Sequence, residues 1–328
     1  MRVFVTHNPE DREAYFGRSL PRLESLAEVV LNPTDHDLST AELIEASAGC
    51  QVVIAHRSTP GEPALFDQSP DLLAMFRCAI DVSTIDIAAA SARGVLVANA
   101  DKSFIASTAE LALGLALDVA RNVSASTVDY RAGVEPGQRP GWQLRGSTAG
   151  IIGFGDIGRY LADLLHAIGM RVLVHDLAPV DAAEVESTDL STLLAESDVV
   201  FPLVPGSPAT THLIGAAELA AMRPGAALVN VSRGEVLDED AVLAALESGQ
   251  LGAVGMDVGQ AADQRPSLAL AQHPHVVATP HLGGLTPANA DAQAASSVDQ
   301  VEAILAGMMP PRSLNPDDAT RLRAWWDR

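Results

Sequence analysis

Short apolar runs alternate with helix-like stretches along almost the whole chain. The first series holds Arg2–Thr6, Val52–Ala55 and Gly94–Val97, with the apolar segment Leu72–Ile80 between the last two. A second series opens at Thr148 and reads Ala149–Phe154, Arg171–His175, Val199–Val204, Ala227–Val231, Ala253–Val258 and Val276–Thr279. Continuous rather than alternating apolar runs are what buried parallel strands look like, and strands interleaved with helices predict βαβ units. The expected fold class is α/β, with two doubly wound parallel sheets. Between the two series, residues 108–121 are helical, with Leu111, Leu115 and Val119 on one face; a stretch with Gly133, Pro136, Gly137, Pro140 and Gly141 follows, ending at Trp142. The obvious cut lies in that loop. However, the 108–121 helix is long enough to pack on the second sheet, and the helical stretch from Pro287 to Gly307 follows no further strand. The chain is therefore expected to cross to the second domain near residue 99 and return near 284. Residues 1–98 with 285–328 then form one domain and 99–284 the other, with hinges flanking a cleft, a common site for small ligands.

Composition narrows the class. The 328 residues are 48 % hydrophobic but only 4 % aromatic, so the cores must lean on Ala, Leu and Val. Forty-two acidic against 21 basic residues give a net charge of −21. Such a surface argues against nucleic acid and anionic membranes as partners, since both demand Lys and Arg. Lys102 is the only lysine. Cys50 and Cys78 are too few for a disulfide framework, and no Cys/His cluster has metal-ligand spacing, so no metal is expected. The apolar run Leu111–Leu117 is far short of the ~20 residues of a membrane span, and the start lacks the apolar core of a secretory signal. A soluble, cytoplasmic protein acting on a small molecule is the expectation.

The first chemical motif is Gly153-Phe154-Gly155-Asp156-Ile157-Gly158, a Gly-x-Gly-x-x-Gly between an apolar strand and a helix whose Ile157, Leu161, Leu164 and Leu165 share a face. The first glycine allows a tight turn, the second lets backbone approach a pyrophosphate, and the third lets helix meet strand. The helix N-terminus offers unpaired N–H groups to the phosphates. Asp176 ends the next strand about 20 residues on, where a carboxylate binds ribose hydroxyls and repels a 2′-phosphate. NAD rather than NADP is the expected cofactor.

Three further segments fall at carboxyl ends of expected strands: Pro202-Leu203-Val204-Pro205 with Thr211-His212, Val229–Gly234, and Thr279–Gly284. Open α/β sheets bind ligands at those ends. Arg233 and His281 supply what reduction of a 2-oxo acid needs, a bidentate cation for the carboxylate and a proton donor active near neutral pH. The order Gly-x-Gly-x-x-Gly, Asp, Pro-Leu-x-Pro, Asn-x-Ser-Arg-Gly, Asp-Val, Thr-Pro-His-x-Gly-Gly resembles the D-isomer-specific 2-hydroxyacid dehydrogenase family over roughly residues 80 to 286. The resemblance implies a Rossmann NAD domain inserted into a flavodoxin-like substrate domain. It implies Arg233 as substrate-binding residue, His281 as acid–base and Asp257 as the residue meeting the nicotinamide amide. It further implies a cofactor site of Thr108, Gly153, Gly155, Asp156, Ile157, Gly158, Asp176, Pro205, Thr211, Val231, Ser232, Asp257, Gly283 and Gly284. The helix around Glu110–Arg121 and the loop to Trp142 resemble the family's dimer contact, so a homodimer is expected.

Two departures stand against that pattern. The family has a glutamate that hydrogen-bonds the catalytic histidine; here Ala262 takes its position, and Asp263, one residue late, either replaces it or does not reach. Without that carboxylate, reduction is expected to run best on the acid side of neutrality. On the substrate side, the family's glycine-rich carboxylate loop reads Ala79-Ile80-Asp81-Val82, and Lys102 falls near the first hinge. Ile80, Asp81 and Lys102 are the expected substrate contacts. Two alternatives stay open: an NAD-dependent oxidoreductase with a non-standard substrate, or a catalytically weakened NAD(H)-binding sensor.

Overall fold

The computed structural model describes residues 1–261 and 264–328. It divides the chain into two compact units, 1–103 with 286–328, and 104–285. Both are α/β with wholly parallel pairing among the described strands.

In the first unit, strands β1 (Arg2–Val5), β2 (Glu28–Leu31), β3 (Val52–Ala55), β4 (Ala74–Arg77) and β5 (Leu96–Asn99) lie in the order β2-β1-β3-β4-β5. The register Val3↔Val52, Val53↔Met75 and Met75↔Val97 lines up residues with no exposed surface across the sheet. The final long helix, Pro287–Leu305, belongs here: Ala294, Val298, Val301 and Ile304 join Val3, Val5, Phe16 and Phe76 in one core. Its polar residues Asn289, Ser296 and Gln300 are also buried, and they hold the chain segment that leaves β5. Gln300 donates to the Asn99 carbonyl at 2.7 Å, the Asp101 amide to Ser296 Oγ at 3.2 Å, and Ser103 Oγ to Asn289 Oδ1 at 2.6 Å. Those bonds keep residues 99–103 in the first unit, so the division falls at 103/104 rather than at 98/99.

The second unit holds β6 (Thr148–Ile152), β7 (Arg171–His175), β8 (Glu186–Ser187), β9 (Val199–Pro202), β10 (Ala226–Asn230), β11 (Leu251–Met256) and β12 (Val276–Ala278), in the order β12-β11-β10-β9-β6-β7-β8. The helix Ile105–Arg121 packs on this sheet through Ala109, Ala112, Leu115, Ala116 and Val119. Its buried face is built mostly of alanine, while Leu111 is only partly buried. Small residues let helix and sheet come close: a Cβ on Gly255 would stand 2.9 Å from Leu115 Cβ. The chain order reverses at β6, which lies between β7 and β9. Such a switch point opens a crevice at the carboxyl ends of the strands.

Candidate active site

β6 delivers the chain into the glycine loop. Gly153 sits at φ +96°, and a Cβ there would lie 2.8 Å from the Leu203 carbonyl oxygen. Gly158 is buried, and a Cβ on it would collide with the Gly153 carbonyl. Gly155 differs: it is exposed, its φ is −75°, and nothing lies within 4 Å of the Cβ position. No side chain caps the helix Asp156–Ala167 that starts there. An open cradle at the N-terminus of a helix is where a pyrophosphate fits, so the residues present suit a dinucleotide. Asp156 is exposed and Ile157 half-buried against the core.

Gly155 and Gly158 predict opposite outcomes on substitution. Gly155→Val leaves the protein's own packing intact and fills the cradle, so NADH affinity should fall about tenfold or more with Tm unchanged. Gly158→Ala forces the helix off the strand, an overpacking that costs about 1–3 kcal/mol, so Tm itself should fall. Thermal melts with fluorescence titration of NADH check both; a Gly155→Val protein that binds NADH normally would remove the cradle from the site.

Asp176, at the end of β7, accepts the Phe154 amide at 2.6 Å and the Ala178 amide at 2.8 Å. Those bonds, the Phe154 one foremost, hold its carboxyl below the usual carboxylate range, so it is ionised at neutral pH. It therefore braces the glycine loop. Beyond β9, Pro205 and Thr211 are exposed; the Thr211 hydroxyl donates to the Ser207 carbonyl at 3.0 Å, and Thr210, which sequence reasoning did not single out, donates to the Pro205 carbonyl at 2.7 Å.

At the end of β10, Asn230 is fully buried and organises the arginine turn. Its Oδ1 accepts from the Ser232 amide at 3.0 Å and hydroxyl at 2.9 Å, and its Nδ2 donates to the Arg233 carbonyl at 2.9 Å. Val231 and Ser232 are thereby buried while Arg233 is turned out to solvent, its Nη1 donating to the Ser232 carbonyl at 2.7 Å. Gly234 is required there, since a Cβ would run into Gly259 backbone.

Next to it, β11 ends in Asp257, which has no exposed surface. Its amide donates to the Asn230 carbonyl at 2.9 Å and its own carbonyl accepts the His281 amide at 2.9 Å. The arginine turn and the histidine turn are thus pinned to adjacent strand ends. His281 is half-buried at φ +60°, in the left-handed region. That conformation costs a non-glycine residue about 1–2 kcal/mol and clusters at functional sites. Gly283 packs closely, with a Cβ position 3.2 Å from Asp257 Oδ2, and its carbonyl accepts Thr108 Oγ1 at 3.2 Å; Gly284 follows, half-buried. Ala262 and Asp263 lie outside the described residues.

Ile80, Asp81 and Lys102 belong to the first unit. The Ile80 carbonyl accepts Asn99 Nδ2 at 2.9 Å; exposed Asp81 accepts the Ser83 amide and hydroxyl, both at 2.9 Å; Lys102 is exposed. The residue that organises this region was missed: Arg77, fully buried, donates to the carbonyls of His56 and Thr59 and to Thr84 Oγ1. Burial lowers it to about 10, and the Asp81 charge opposes that shift, so it stays charged. Nearby at the ends of β1 and β3, the rings of His7 and His56 meet edge-on at 5.0 Å, and His56 Nδ1 lies 3.9 Å from carboxylate oxygens of both Asp11 and Asp37.

Parallel sheet and glycine cradle define a dinucleotide-binding fold of the doubly wound type. Residues 113–283 match the NAD-binding domain of D-isomer specific 2-hydroxyacid dehydrogenases. The chain is 34 % identical over 278 residues to a hydroxypyruvate reductase of Thermotoga maritima, covering 84 % of this chain and 90 % of that one. It is 33 % identical over 283 residues to a D-3-phosphoglycerate dehydrogenase of Mycobacterium leprae, covering 84 % of this chain but only 53 % of that one, so it spans about half of that relative. A solved Thermus thermophilus protein superposes with a TM-score of 0.83 at 32 % identity, covering 96 % of this chain and all of that one. The protein belongs to the D-isomer-specific 2-hydroxyacid dehydrogenase family, and its cofactor is NAD.

Proposed function

We propose that the protein interconverts a small 2-oxo acid and the corresponding D-2-hydroxy acid, with the second unit as NAD domain and the first as substrate domain. The observation that carries this reading is the link through Asp257, which joins the turn bearing Arg233 to the turn bearing His281 by main-chain hydrogen bonds. The glycine loop 153–158 and Asp176 would hold the NADH, which when bound would supply the hydride for C2 of the oxo acid. Arg233, turned to solvent on a rigid turn, grips the carboxylate with its planar fork and draws charge toward the carbonyl oxygen. His281 donates a proton to that oxygen as negative charge grows there, and takes it back in the oxidative direction. Ile80, Asp81 and Lys102 supply the contacts that choose among oxo acids. A nucleotide-sensing role is not favoured, because the matched relatives are named as enzymes.

The protein is further proposed to act as a cytoplasmic homodimer. Exposed apolar side chains gather on the helices before the Gly/Pro-rich loop: Leu117, Val123, Val128 and Tyr130, with Val134 beyond. Two buried free thiols, Cys50 and Cys78, suit a reducing compartment. Among the described residues, no helix is long and apolar enough to cross a membrane.

The test is NADH oxidation with hydroxypyruvate, glyoxylate, pyruvate and phenylpyruvate, hydroxypyruvate first because a relative is named for it. Turnover of at least one, with a product of D configuration, is expected. Tight NADH binding with no turnover of any 2-oxo acid would sink the substrate class.

A further inference from the structure

The family resemblance directs Asp257 toward the nicotinamide amide of the cofactor. The hydrogen bonds around it give it a second task. Oδ1 accepts the Thr279 hydroxyl at 2.6 Å and the Leu282 amide at 2.7 Å, and Oδ2 accepts the Gly283 amide at 2.8 Å. These donors bracket His281: the hydroxyl two residues before it and the two amides directly after it. The His281 amide meanwhile points at the Asp257 main-chain carbonyl.

A left-handed residue turns successive N–H groups to one side, forming a concavity that takes an anion. In this protein the anion is built in. The turn at His281 aims the Leu282 and Gly283 amides inward, and a buried carboxylate fills the space between them. Neither half stands alone: the buried charge requires donors, and the left-handed histidine requires something to offset its conformational cost. Thr108 closes the far side by bonding the Gly283 carbonyl.

We infer that Asp257 is a positioning residue for the reaction, holding the His281 turn in its left-handed form and so setting the direction of the imidazole. The inference rests on His281 being the acid–base. A carboxamide at 257 has the same shape but presents an N–H to a site filled by donors, so at least one bond of the turn is lost. Because displacement of a catalytic group by about 1 Å can lower a rate about 100-fold, Asp257→Asn should lower kcat on that scale. Since the resemblance also places Asp257 at the nicotinamide amide, kcat of this variant is read at saturating NADH and its NADH affinity separately. Thr279→Val, which removes one donor and keeps the shape, should lower kcat about fivefold in the same direction, sparing NADH affinity.

The experiment is steady-state kinetics at saturating NADH together with NADH titration by fluorescence, for wild type, Asp257→Asn, Thr279→Val and His281→Ala. A fall in kcat at saturating NADH in both turn variants, with NADH affinity unchanged in Thr279→Val, supports the inference. If Asp257→Asn fails to fold, Thr279→Val decides alone. A loss of NADH affinity with kcat retained at saturation overturns it in favour of a cofactor contact, and wild-type kinetics in both turn variants overturns it outright. Should those two be impaired while His281→Ala turns over normally, the acid–base reading fails first and takes the inference with it.

Discussion

Replacing His281 by asparagine is expected to lower kcat about 10²- to 10⁴-fold, the usual contribution of a positioned general acid, while NADH binds as before. Asparagine is the informative choice because it tolerates the left-handed region in which His281 sits at φ +60°. Its amide cannot deliver a proton, so the loss reports the chemistry and not a relaxed turn. Alanine removes the same proton donor but adds a backbone cost of about 1 kcal/mol, visible as a lower Tm. Equal kcat values for the two variants, with Tm lowered only in the alanine one, would separate the two roles of this position. An asparagine variant that retains kcat would end the assignment of His281 as acid–base.

Acid is expected to unfold the first unit through His7. This imidazole is 1 % exposed, stands 5.2 Å from the Phe16 ring, and its Nδ1 has no hydrogen-bond partner among the described residues. Burial above all, with His56, Arg12 and Arg77 adding repulsion, lowers its pKa from 6.5 to about 3. The depressed value sets the sign. Above pH 6.5 the ring is neutral folded or unfolded and stability is at its full level. As pH falls from 6.5 toward 3 the unfolded chain takes up a proton that the folded chain refuses, so stability drops by about 1.4 kcal/mol per pH unit. The integrated loss approaches about 5 kcal/mol, the lower end of the whole stability of a typical domain. Urea denaturation at pH 7 and pH 4 should show wild type losing about 3 kcal/mol from this group, and His7→Leu losing that much less. Identical pH dependence in the two proteins would show that His7 ionises freely in the fold.

The strands that were legible in sequence are those buried on both faces, such as Val52–Ala55, where apolar residues run without interruption. Strands β2 and β8 were not: Glu28–Leu31 is only half-buried, and Glu186–Ser187 is exposed, so neither carries the pattern of a sheet interior. The glycine loop and the Asn-x-Ser-Arg-Gly turn were readable because close backbone approach allows few residues. The organising roles of Arg77, Asn230 and Asp257 were not readable from the residues. A buried arginine and an exposed one are spelled alike, and what separates them is the set of carbonyls the fold brings to the guanidinium. The same holds for Ser296 and Gln300, whose polar side chains break the apolar face of their helix because they bind the departing backbone of 99–103.

That the first unit is assembled from both ends of the chain sets an order on its synthesis. The second unit, 104–285, is one uninterrupted stretch and has all its strands once residue 285 has been made. The first 103 residues emerge earlier but lack Ala294, Val298, Val301 and Ile304, which close their core. Until the helix Pro287–Leu305 is translated, β1, β3 and β4 expose an apolar face in search of a cover. Of the two units, the one whose synthesis starts earlier is therefore the later to finish folding, and during that interval it is the more dependent on chaperones.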